Sequence, residues 1–388
     1  MEGRPEYLKL PIIVDIGSGE VKAGFSGEEN PKVVFNNYFG EPKYKKVLRT
    51  FDKENQELND QFIGEDCEKY MGLIKLHFPV SHGVFQNDQD ILSVFNHLYS
   101  KLGINSQEIK EHPVLITEPL LNPYSNREKI SYCLFDNLGV PALFFASQPI
   151  LSLFSTSSTS GTVLESGEGV TQSCVIYEGY SIPSSYERYN YGGGDVTEYL
   201  KNLLKKRGYH FYNSSEFRLV NDIKENSCSC HINSVKNDIE EAKRAANKNP
   251  INYYLPDGSN ISIGDELLLA PEILFNPEYI GKEYLSFPDM IMSSINKVDI
   301  QIRLKSYENI LLSGGNTCFK GLNEQLFTKL KNKLTKNMKI VLNKSEKPKF
   351  SCWIGGNIIS TLEVFKKMWV TRNDWNEKGT NVVHVKSI

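Results

Sequence analysis

The chain has 388 residues, with 44 lysines and arginines, 47 aspartates and glutamates, and a formal net charge of −3. This near balance argues against a protein whose whole surface binds nucleic acid or a membrane. The length corresponds to two or three domains of ~150 residues. Seven scattered cysteines do not form a disulfide framework, so a reducing compartment is expected. No apolar run approaches the ~20 residues that span a bilayer, so membrane insertion is not expected.

The first strong element along the chain is a hairpin with a glycine-rich tip. Leu10–Ile16 is apolar and β-branched, which predicts a buried strand, and a second strand is predicted over Val21–Phe25. The polar stretch 44–60 predicts an exposed loop. The elements predicted next are a helix over 88–102, a strand over 112–118, a helix over 126–134, a strand over 141–146 and a helix over 148–154. Such alternation is typical of an α/β core with parallel strand pairing.

A second segment resembles the opening hairpin. Val14–Gly19 and Leu164–Gly169 share one pattern, in which an apolar residue and an acid precede two glycines that are two positions apart. The copies lie about one domain length apart, which predicts an internal repeat. The remaining predictions are helices over 192–204, 221–225, 233–249 and 357–368, a hairpin turn at 255–258, and strands that end in glycine turns at 309–315 and 351–356.

Glycine-rich hairpin tips of this kind are suited to binding phosphate. Backbone N–H groups can approach phosphate oxygens where no Cβ intervenes, Ser18 can add a hydroxyl donor, and Lys22 can neutralise charge. Asp15 and Glu165 are suited to holding Mg²⁺ through its water ligands. One such hairpin alone is more often an ordinary turn, but two copies favour nucleotide binding. Ser313-Gly-Gly315, after a buried strand, adds a third place where a nucleotide can approach the backbone.

One further motif invites a metal-binding interpretation. Cys228-Ser-Cys230-His231 has a poor spacing for a zinc knuckle, and no second pair of ligands lies nearby in the sequence. We therefore favour structural cysteines at this position.

Ordered segments make the chain similar to the actin family nearly end to end. Asp15–Phe25 resembles the first phosphate loop of that family, and Glu165–Thr171 resembles the second. The other signatures are His112–Glu118, Asn122–Glu128, Ile176–Tyr180, Asp222–Glu225, Leu255–Gly258, Leu312–Gly315 and Trp353–Gly356. Some short segments, such as Phe365–Val370, resemble centractin, the actin-related protein of the dynactin filament, more than conventional actin.

The resemblance implies an α/β, actin-like two-domain ATPase fold, with duplicated ribonuclease H-like domains around a nucleotide cleft. A small domain is expected over 1–155 and 351–388, with 37–78 as its mobile outer subdomain. A large domain is expected over 156–350, with about 192–282 as its outer subdomain. The implied cofactors are ATP or ADP and Mg²⁺.

The resemblance also implies roles for particular residues. Asp15 and Glu165 are expected to hold Mg²⁺ through waters, and Gln148, Glu165 and Gln172 are the catalytic candidates. The nucleotide contacts are expected from Gly17, Ser18, Gly19, Lys22, Gly167, Glu168, Gly169, Gly193, Lys224, Glu225, Gly314, Gly315, Phe319 and Lys349.

Three departures from the family pattern concern hydrolysis. Glu165 and Glu168 stand where the family has aspartates, and each side chain is one methylene longer. Gln172 stands where the family has a histidine, and glutamine cannot titrate. Hydrolysis requires one water ordered in line with the γ-phosphate, so small displacements are costly. We therefore expect ATP binding with slow or altered hydrolysis, and at most a weak ATPase of the actin type.

The expected function is that of a divergent actin-related protein that acts as a cytoskeletal subunit. One form is a centractin-like filament in vesicle or microtubule-motor transport, in the cytoplasm. A second is a non-filament subunit of a fixed complex, in actin nucleation or in nuclear chromatin remodelling. A third, less favoured, is a sugar kinase or chaperone-type ATPase. The expected partners are copies of itself, other actin-family proteins or complex subunits, without direct nucleic-acid binding.

Overall fold

The computed structural model describes residues 9–44, 61–231, 239–255, 258–335 and 338–387. The chain divides into two compact units. Unit 1 comprises Met1–Thr159, Ile176–Ser181 and Lys349–Ile388. Unit 2 comprises Ser160–Val175 and Ile182–Pro348. In the part of the chain that the structure describes, no helix is long and apolar enough to cross a membrane.

The described residues form both β-strands and α-helices. The strands are β1 (Ile12–Ile16), β2 (Glu20–Phe25), β3 (Val33–Asn36), β4 (Phe39–Pro42), β5 (Phe62–Ile63), β6 (Ile74–His77), β7 (Val80–Ser81), β8 (Val84–Phe85), β9 (Val114–Glu118), β10 (Ala142–Ser147), β11 (Gly161–Ser166), β12 (Thr171–Tyr177), β13 (Tyr180–Ser181), β14 (Glu187–Tyr189), β15 (Ile251–Tyr254), β16 (Asn260–Ile263), β17 (Ile310–Ser313), β18 (Leu342–Lys344) and β19 (Val370–Thr371). The α-helices are α1 (Asp88–Leu102), α2 (Tyr124–Tyr132), α3 (Gln148–Phe154), α4 (Gly193–Lys206), α5 (Ser214–Ser227), α6 (Ile239–Lys248), α7 (Glu266–Leu269), α8 (Phe287–Asn296), α9 (Ile300–Tyr307), α10 (Leu322–Lys333), α11 (Ser351–Thr361), α12 (Arg372–Lys378) and α13 (Asn381–Val385). The helices predicted over 88–102 and 148–154 are confirmed with the same bounds.

The main sheet of unit 1 has six strands in the order β19-β10-β9-β1-β2-β3. β1 is antiparallel to β2 and parallel to β9, which is parallel to β10. Every residue of β1, β9 and β10 is buried, because hydrophobic cores cover both faces of the sheet. Ile12 and Val14 belong to the core that contains Phe95, whereas Ile13 belongs to the core that contains Trp353. The alternation of side chains along β1 therefore supplies both cores.

The central sheet of unit 2 repeats this arrangement. β11 lies between β12 and β17, and it is parallel to β17, which is parallel to β18. Leu164, Val175 and Leu312 belong to one large core that helices α4, α8 and α10 complete. A hairpin followed by two parallel strands therefore occurs in both units. This is the internal repeat that the sequence predicts.

Each unit carries a smaller accessory sheet. In unit 1, β5, β4 and β6 form a three-stranded sheet with its own core around Cys67 and Ile74. In unit 2, β15 and β16 form an antiparallel hairpin. Of the loop predicted over 44–60, residues 45–60 lie outside the described residues. Residues 256–257 of the turn predicted at 255–258 also lie outside them.

One predicted element near the C-terminus is wrong. The segment 351–356 was expected to be a strand with a glycine turn, but it forms the first half of helix α11, which ends at Thr361. A Cβ at Gly355 would lie only 1.8 Å from the Leu151 carbonyl oxygen of α3. The glycine therefore permits two helices to touch and does not form a turn. The helix predicted over 357–368 ends early because Leu362 is extended, and a short 3-10 turn follows it.

Candidate functional site

The first candidate loop lies at the tip of the β1–β2 hairpin in unit 1. The Gly17 N–H donates to the Glu20 carbonyl at 2.9 Å, which closes the turn. Asp15 stands opposite Lys22 in the antiparallel register, and 3.3 Å separate Asp15 Oδ2 from Lys22 Nζ. Burial acts to lower the pKa of Lys22, but the carboxylates of Asp15 and Glu20 outweigh it and raise that pKa. Lys22 therefore remains a cation beside the glycine turn.

The Asp15 carboxylate is held by two further side chains of the same unit. The Thr117 hydroxyl donates to Asp15 Oδ1 at 2.5 Å, and Gln148 Nε2 lies 3.3 Å from the same oxygen. Thr117 reaches Asp15 because β9 runs parallel to β1 and ends at the same edge of the sheet. Gln148 reaches it because α3 begins where β10, the next strand, ends. The predicted cation ligand and one predicted catalytic residue are therefore neighbours.

Ser18 occupies the middle of the first loop. Its Oγ accepts a hydrogen bond from the Gly83 N–H at 3.1 Å. A hydroxyl that accepts in this way still has its own proton to donate. The contact comes from the turn between β7 and β8, in which His82 has a positive φ of 51°. The turn thus fixes the Ser18 oxygen and leaves its proton available for a ligand.

The second candidate loop lies at the tip of the β11–β12 hairpin in unit 2. The Gly167 N–H donates to the Val170 carbonyl at 2.9 Å, the same bond that closes the first loop. Glu165 is buried, with 6% of its surface exposed. The Ser313 hydroxyl lies 3.3 Å from its Oε1, and the bond comes from the parallel strand β17. A carboxylate backed by a hydroxyl on the neighbouring parallel strand is therefore present in both units.

One of the positions at which the two loops differ changes the charge beside the buried carboxylate. Lys22 lies seven positions after Asp15, and Gln172 lies seven positions after Glu165. Gln172 is 1% exposed, and its Nε2 donates to Glu165 Oε2 at 2.9 Å. The position that holds a cation in the first loop therefore holds a neutral amide in the second.

A buried lysine supports the other glutamate of the second loop. Lys224, on α5, is 3% exposed, and its Nζ lies 3.4 Å from Glu168 Oε2 and 3.0 Å from the Gly193 carbonyl. The N–H groups of Gly193 and Gly194 donate to the Gly167 and Glu168 carbonyls, both at 2.9 Å. The first turn of α4 therefore lies directly against the loop backbone. This close approach accounts for the glycines at the start of α4.

The remaining residues predicted to contact the nucleotide are divided between the units. Gly314 has a φ of +88°, and a Cβ there would lie 2.3 Å from the Ser166 carbonyl oxygen, so this glycine packs against the second loop. Phe319 is partly buried against the core of unit 2. Glu225 is exposed and accepts from Asn221 Nδ2 at 2.9 Å. Lys349 belongs to unit 1, with its Nζ 4.0 Å from Glu20 Oε1.

The structure therefore places the predicted residues in two sets. The set of unit 1 is Asp15, Gly17, Ser18, Gly19, Lys22, Gln148 and Lys349. The set of unit 2 is Glu165, Gly167, Glu168, Gly169, Gln172, Gly193, Lys224, Glu225, Gly314, Gly315 and Phe319.

Comparison with known proteins shows which family the chain resembles along its length. The family model for actin matches residues 9–388. An actin-like protein of Neurospora crassa is 39% identical over 380 residues, which cover 97% of each chain. The chain belongs to the actin family. The actin-like two-domain α/β fold expected from the sequence is thereby confirmed.

Actin-family proteins generally bind a nucleotide together with a divalent metal, and the residues of this chain fit such a group. Asp15 Oδ1 accepts from both Thr117 and Gln148, whereas Oδ2 accepts from Lys22 and, with two lone pairs, can still bond to a water of a bound cation. Within the described ranges, no group of three or more His, Cys, Asp or Glu side chains is placed to hold a metal ion. A cation here would therefore take most of its ligands from water and phosphate, as Mg²⁺ commonly does.

In the Cys228-Ser-Cys230-His231 motif of this actin-family chain, the cysteines and the histidine are buried. Both cysteines are buried free thiols in the core of unit 2. Burial raises the pKa of Cys228 to about 12, and this motif belongs to no group of three or more metal-ligating side chains in the described residues.

Sequence reasoning missed four residues that shape the two loops. Thr117 and Ser313 lie within motifs that were recognised, Ser313 as the last residue of a buried parallel strand and Thr117 as the last but one. A hydroxyl at the carboxyl end of the strand next to an acidic hairpin was therefore an available signal. Asn37 and Asn316 also contact the loops, but no local sequence pattern indicated them.

Proposed function

We propose that this chain is a divergent actin-related protein that binds ATP or ADP with Mg²⁺ and hydrolyses ATP slowly. The observation that carries this proposal is the duplicated loop. Each copy has a glycine turn closed by the same 2.9 Å bond and a buried carboxylate that accepts from a hydroxyl on the neighbouring parallel strand. Glycine turns that expose backbone N–H groups are a recurrent means of binding phosphate.

Phosphate binding is assigned to both loops. Ser18 offers a hydroxyl proton, and Lys22 offers a cation whose raised pKa keeps it charged. In the second loop Lys224 offsets the charge of Glu168. The residues proposed for the adenosine side are Gly193, Lys224, Glu225, Gly314, Gly315, Phe319 and Lys349.

Slow hydrolysis is proposed from the surroundings of Gln148, Glu165 and Gln172. Gln172 donates to Glu165 and has no group that exchanges a proton near neutral pH, so it cannot relay a proton from an attacking water. Gln148 donates to both Asp15 and Thr117 through one nitrogen, and that amide is thereby oriented by the carboxylate. The bound nucleotide with its metal would supply the reacting phosphate and the charge stabilisation.

At the level of the cell, we propose a cytoskeletal subunit in the cytoplasm, of the centractin-like kind that forms short filaments for transport. Sedimentation of the purified protein with ATP over a range of concentrations tests assembly. A protein that never sediments but purifies with fixed partners would instead be a subunit of a complex in actin nucleation or chromatin remodelling. Affinity purification of the endogenous protein distinguishes these outcomes, because the partners define the role.

The nucleotide proposal is tested by measuring retained nucleotide and phosphate release in parallel with conventional actin. The purified chain should retain ATP or ADP and should release phosphate more slowly than conventional actin. A release rate equal to or above that of actin would contradict slow hydrolysis. A chain that retains no nucleotide and binds no added ATP would contradict the binding proposal.

A further inference from the structure

A buried asparagine holds the first loop from a neighbouring strand. Asn37, directly after β3, is 0% exposed. Its Nδ2 donates to the Gly17 carbonyl at 2.8 Å, and its backbone N–H donates to the Gly19 carbonyl at 2.8 Å. Two carbonyl groups of the loop are thereby turned toward Asn37. The Asn37 Oδ1 has no hydrogen-bond partner in the described part of the chain, so the contact with the loop is the main bond of this side chain.

A second asparagine does the same in unit 2, although it comes from a different element. Asn316, in the 3-10 turn after β17, is 5% exposed. Its Nδ2 donates to the Gly167 carbonyl at 2.8 Å and to the Ser166 hydroxyl at 2.8 Å. Gly167 is the equivalent of Gly17 in the repeat. The same carbonyl is therefore held by an asparagine amide in both units.

The orientation of a carbonyl fixes the orientation of the next N–H group. In a trans peptide the C=O of one residue and the N–H of the next point in opposite directions, and the described residues contain no cis peptide bond. Holding the Gly17 carbonyl inward therefore turns the Ser18 N–H outward, and holding the Gly167 carbonyl turns the Glu168 N–H outward. Within the described residues, neither N–H donates to a protein acceptor.

We propose that Asn37 and Asn316 are positioning residues that orient the Ser18 and Glu168 amides toward the phosphates of the nucleotide. The proposal rests on the nucleotide binding proposed above. Asn37 is the one side chain of the described residues that donates to the Gly17 carbonyl. The Gly167 carbonyl has two donors, the Asn316 side chain and the Gly193 N–H. Asn37 is accordingly the more important of the two.

The test replaces each asparagine by leucine, which has a similar shape but no donor, and measures the binding of ATP and of adenosine to the full chain. Loss of one buried hydrogen bond should weaken ATP binding about 10-fold for Asn37→Leu and about 3-fold for Asn316→Leu. Adenosine lacks phosphates, so its affinity should change by less than about 2-fold. If a leucine variant does not fold, the same two affinities are measured on Asn37→Ser or Asn316→Ser.

Matched controls come from asparagines that make the same kind of bond away from the loops. Asn357 Nδ2 donates to the Glu28 carbonyl in unit 1, and Asn309 Nδ2 donates to the Ser160 carbonyl at 2.8 Å in unit 2. Asn357→Leu and Asn309→Leu should lower the melting temperature without selectively weakening the affinity for ATP. Equal losses of ATP and adenosine, or ATP affinities like those of the controls, would overturn the positioning role. A wild-type chain that binds no ATP would overturn the proposed function instead, and this inference with it.

Discussion

Replacing Gly355 with alanine tests the contact between α3 and α11. The new Cβ would lie 1.8 Å from the Leu151 carbonyl oxygen, whereas real Cβ contacts are essentially never shorter than 3.0 Å. Alanine in place of glycine inside a helix favours folding by up to ~1 kcal/mol. Overpacking lowers the free energy of unfolding by ~1–3 kcal/mol and sometimes more, and a clash with rigid backbone lies at the upper end of that range. The substitution should therefore lower the free energy of unfolding by about 2 kcal/mol.

Calorimetry and phosphate release provide the two assays of this substitution. At ~2–4 °C per kcal/mol, the melting temperature of unit 1 should fall by about 4–8 °C. Gly72→Ala is the matched control, because nothing lies within 4 Å of a Cβ there, and its melting temperature should stay near that of the wild type. Displacing α3 also moves Gln148 at its start, so phosphate release should change in Gly355→Ala only. A melting temperature at or above that of the wild type would refute the close contact.

Three further changes test other parts of the molecule. The double variant Glu165→Asp with Gln172→His should raise the rate of phosphate release, and an unchanged or lower rate would contradict the role given to these residues. Burial acts to raise the pKa of Asp374, but hydrogen bonds from two lysines and Thr371 hold that pKa well below its ordinary 3.8. Asp374→Asn should therefore lower the free energy of unfolding at pH 7. The difference from the wild type should vanish in acid, where the carboxylate of the wild type is protonated. Of the seven cysteines, all of which lie in the described residues, Cys318 alone is exposed, so a thiol reagent should modify one thiol per native chain and seven after unfolding. Rapid modification of several thiols in the native protein would contradict the burial of the other six cysteines.

Sequence motifs and hydrophobic periodicity were sufficient to predict the parts of the site that lie within one helix, strand or hairpin. Apolar β-branched runs predicted strands β1 and β11, and the glycines after them marked the loop tips. Helix α1 was predicted with its observed bounds because its apolar residues recur at helical spacing over four turns. Both strands of the first hairpin were predicted, whereas the pairing of Asp15 with Lys22 was seen only in the structure.

Contacts between distant segments could not be predicted in this way. Asn37 and Asn316 reach equivalent carbonyls from non-equivalent elements, and neither has a local signature. The segment 351–356 combines apolar residues with two glycines, a pattern that a strand with a turn and a closely packed helix share. Only the position of Leu151, about 200 residues earlier in the chain, distinguishes the two.

The most direct test of nucleotide binding by these loops is a calorimetric titration of the purified full chain with ATP and Mg²⁺, alongside Lys22→Gln and the exposed control Lys9→Gln. The wild type should bind one ATP per chain. Loss of a charged donor to phosphate should weaken binding at least ~10-fold in Lys22→Gln and leave Lys9→Gln unchanged. A wild-type chain without measurable ATP binding, or a Lys22→Gln variant that binds ATP as tightly as the wild type, would contradict the assignment.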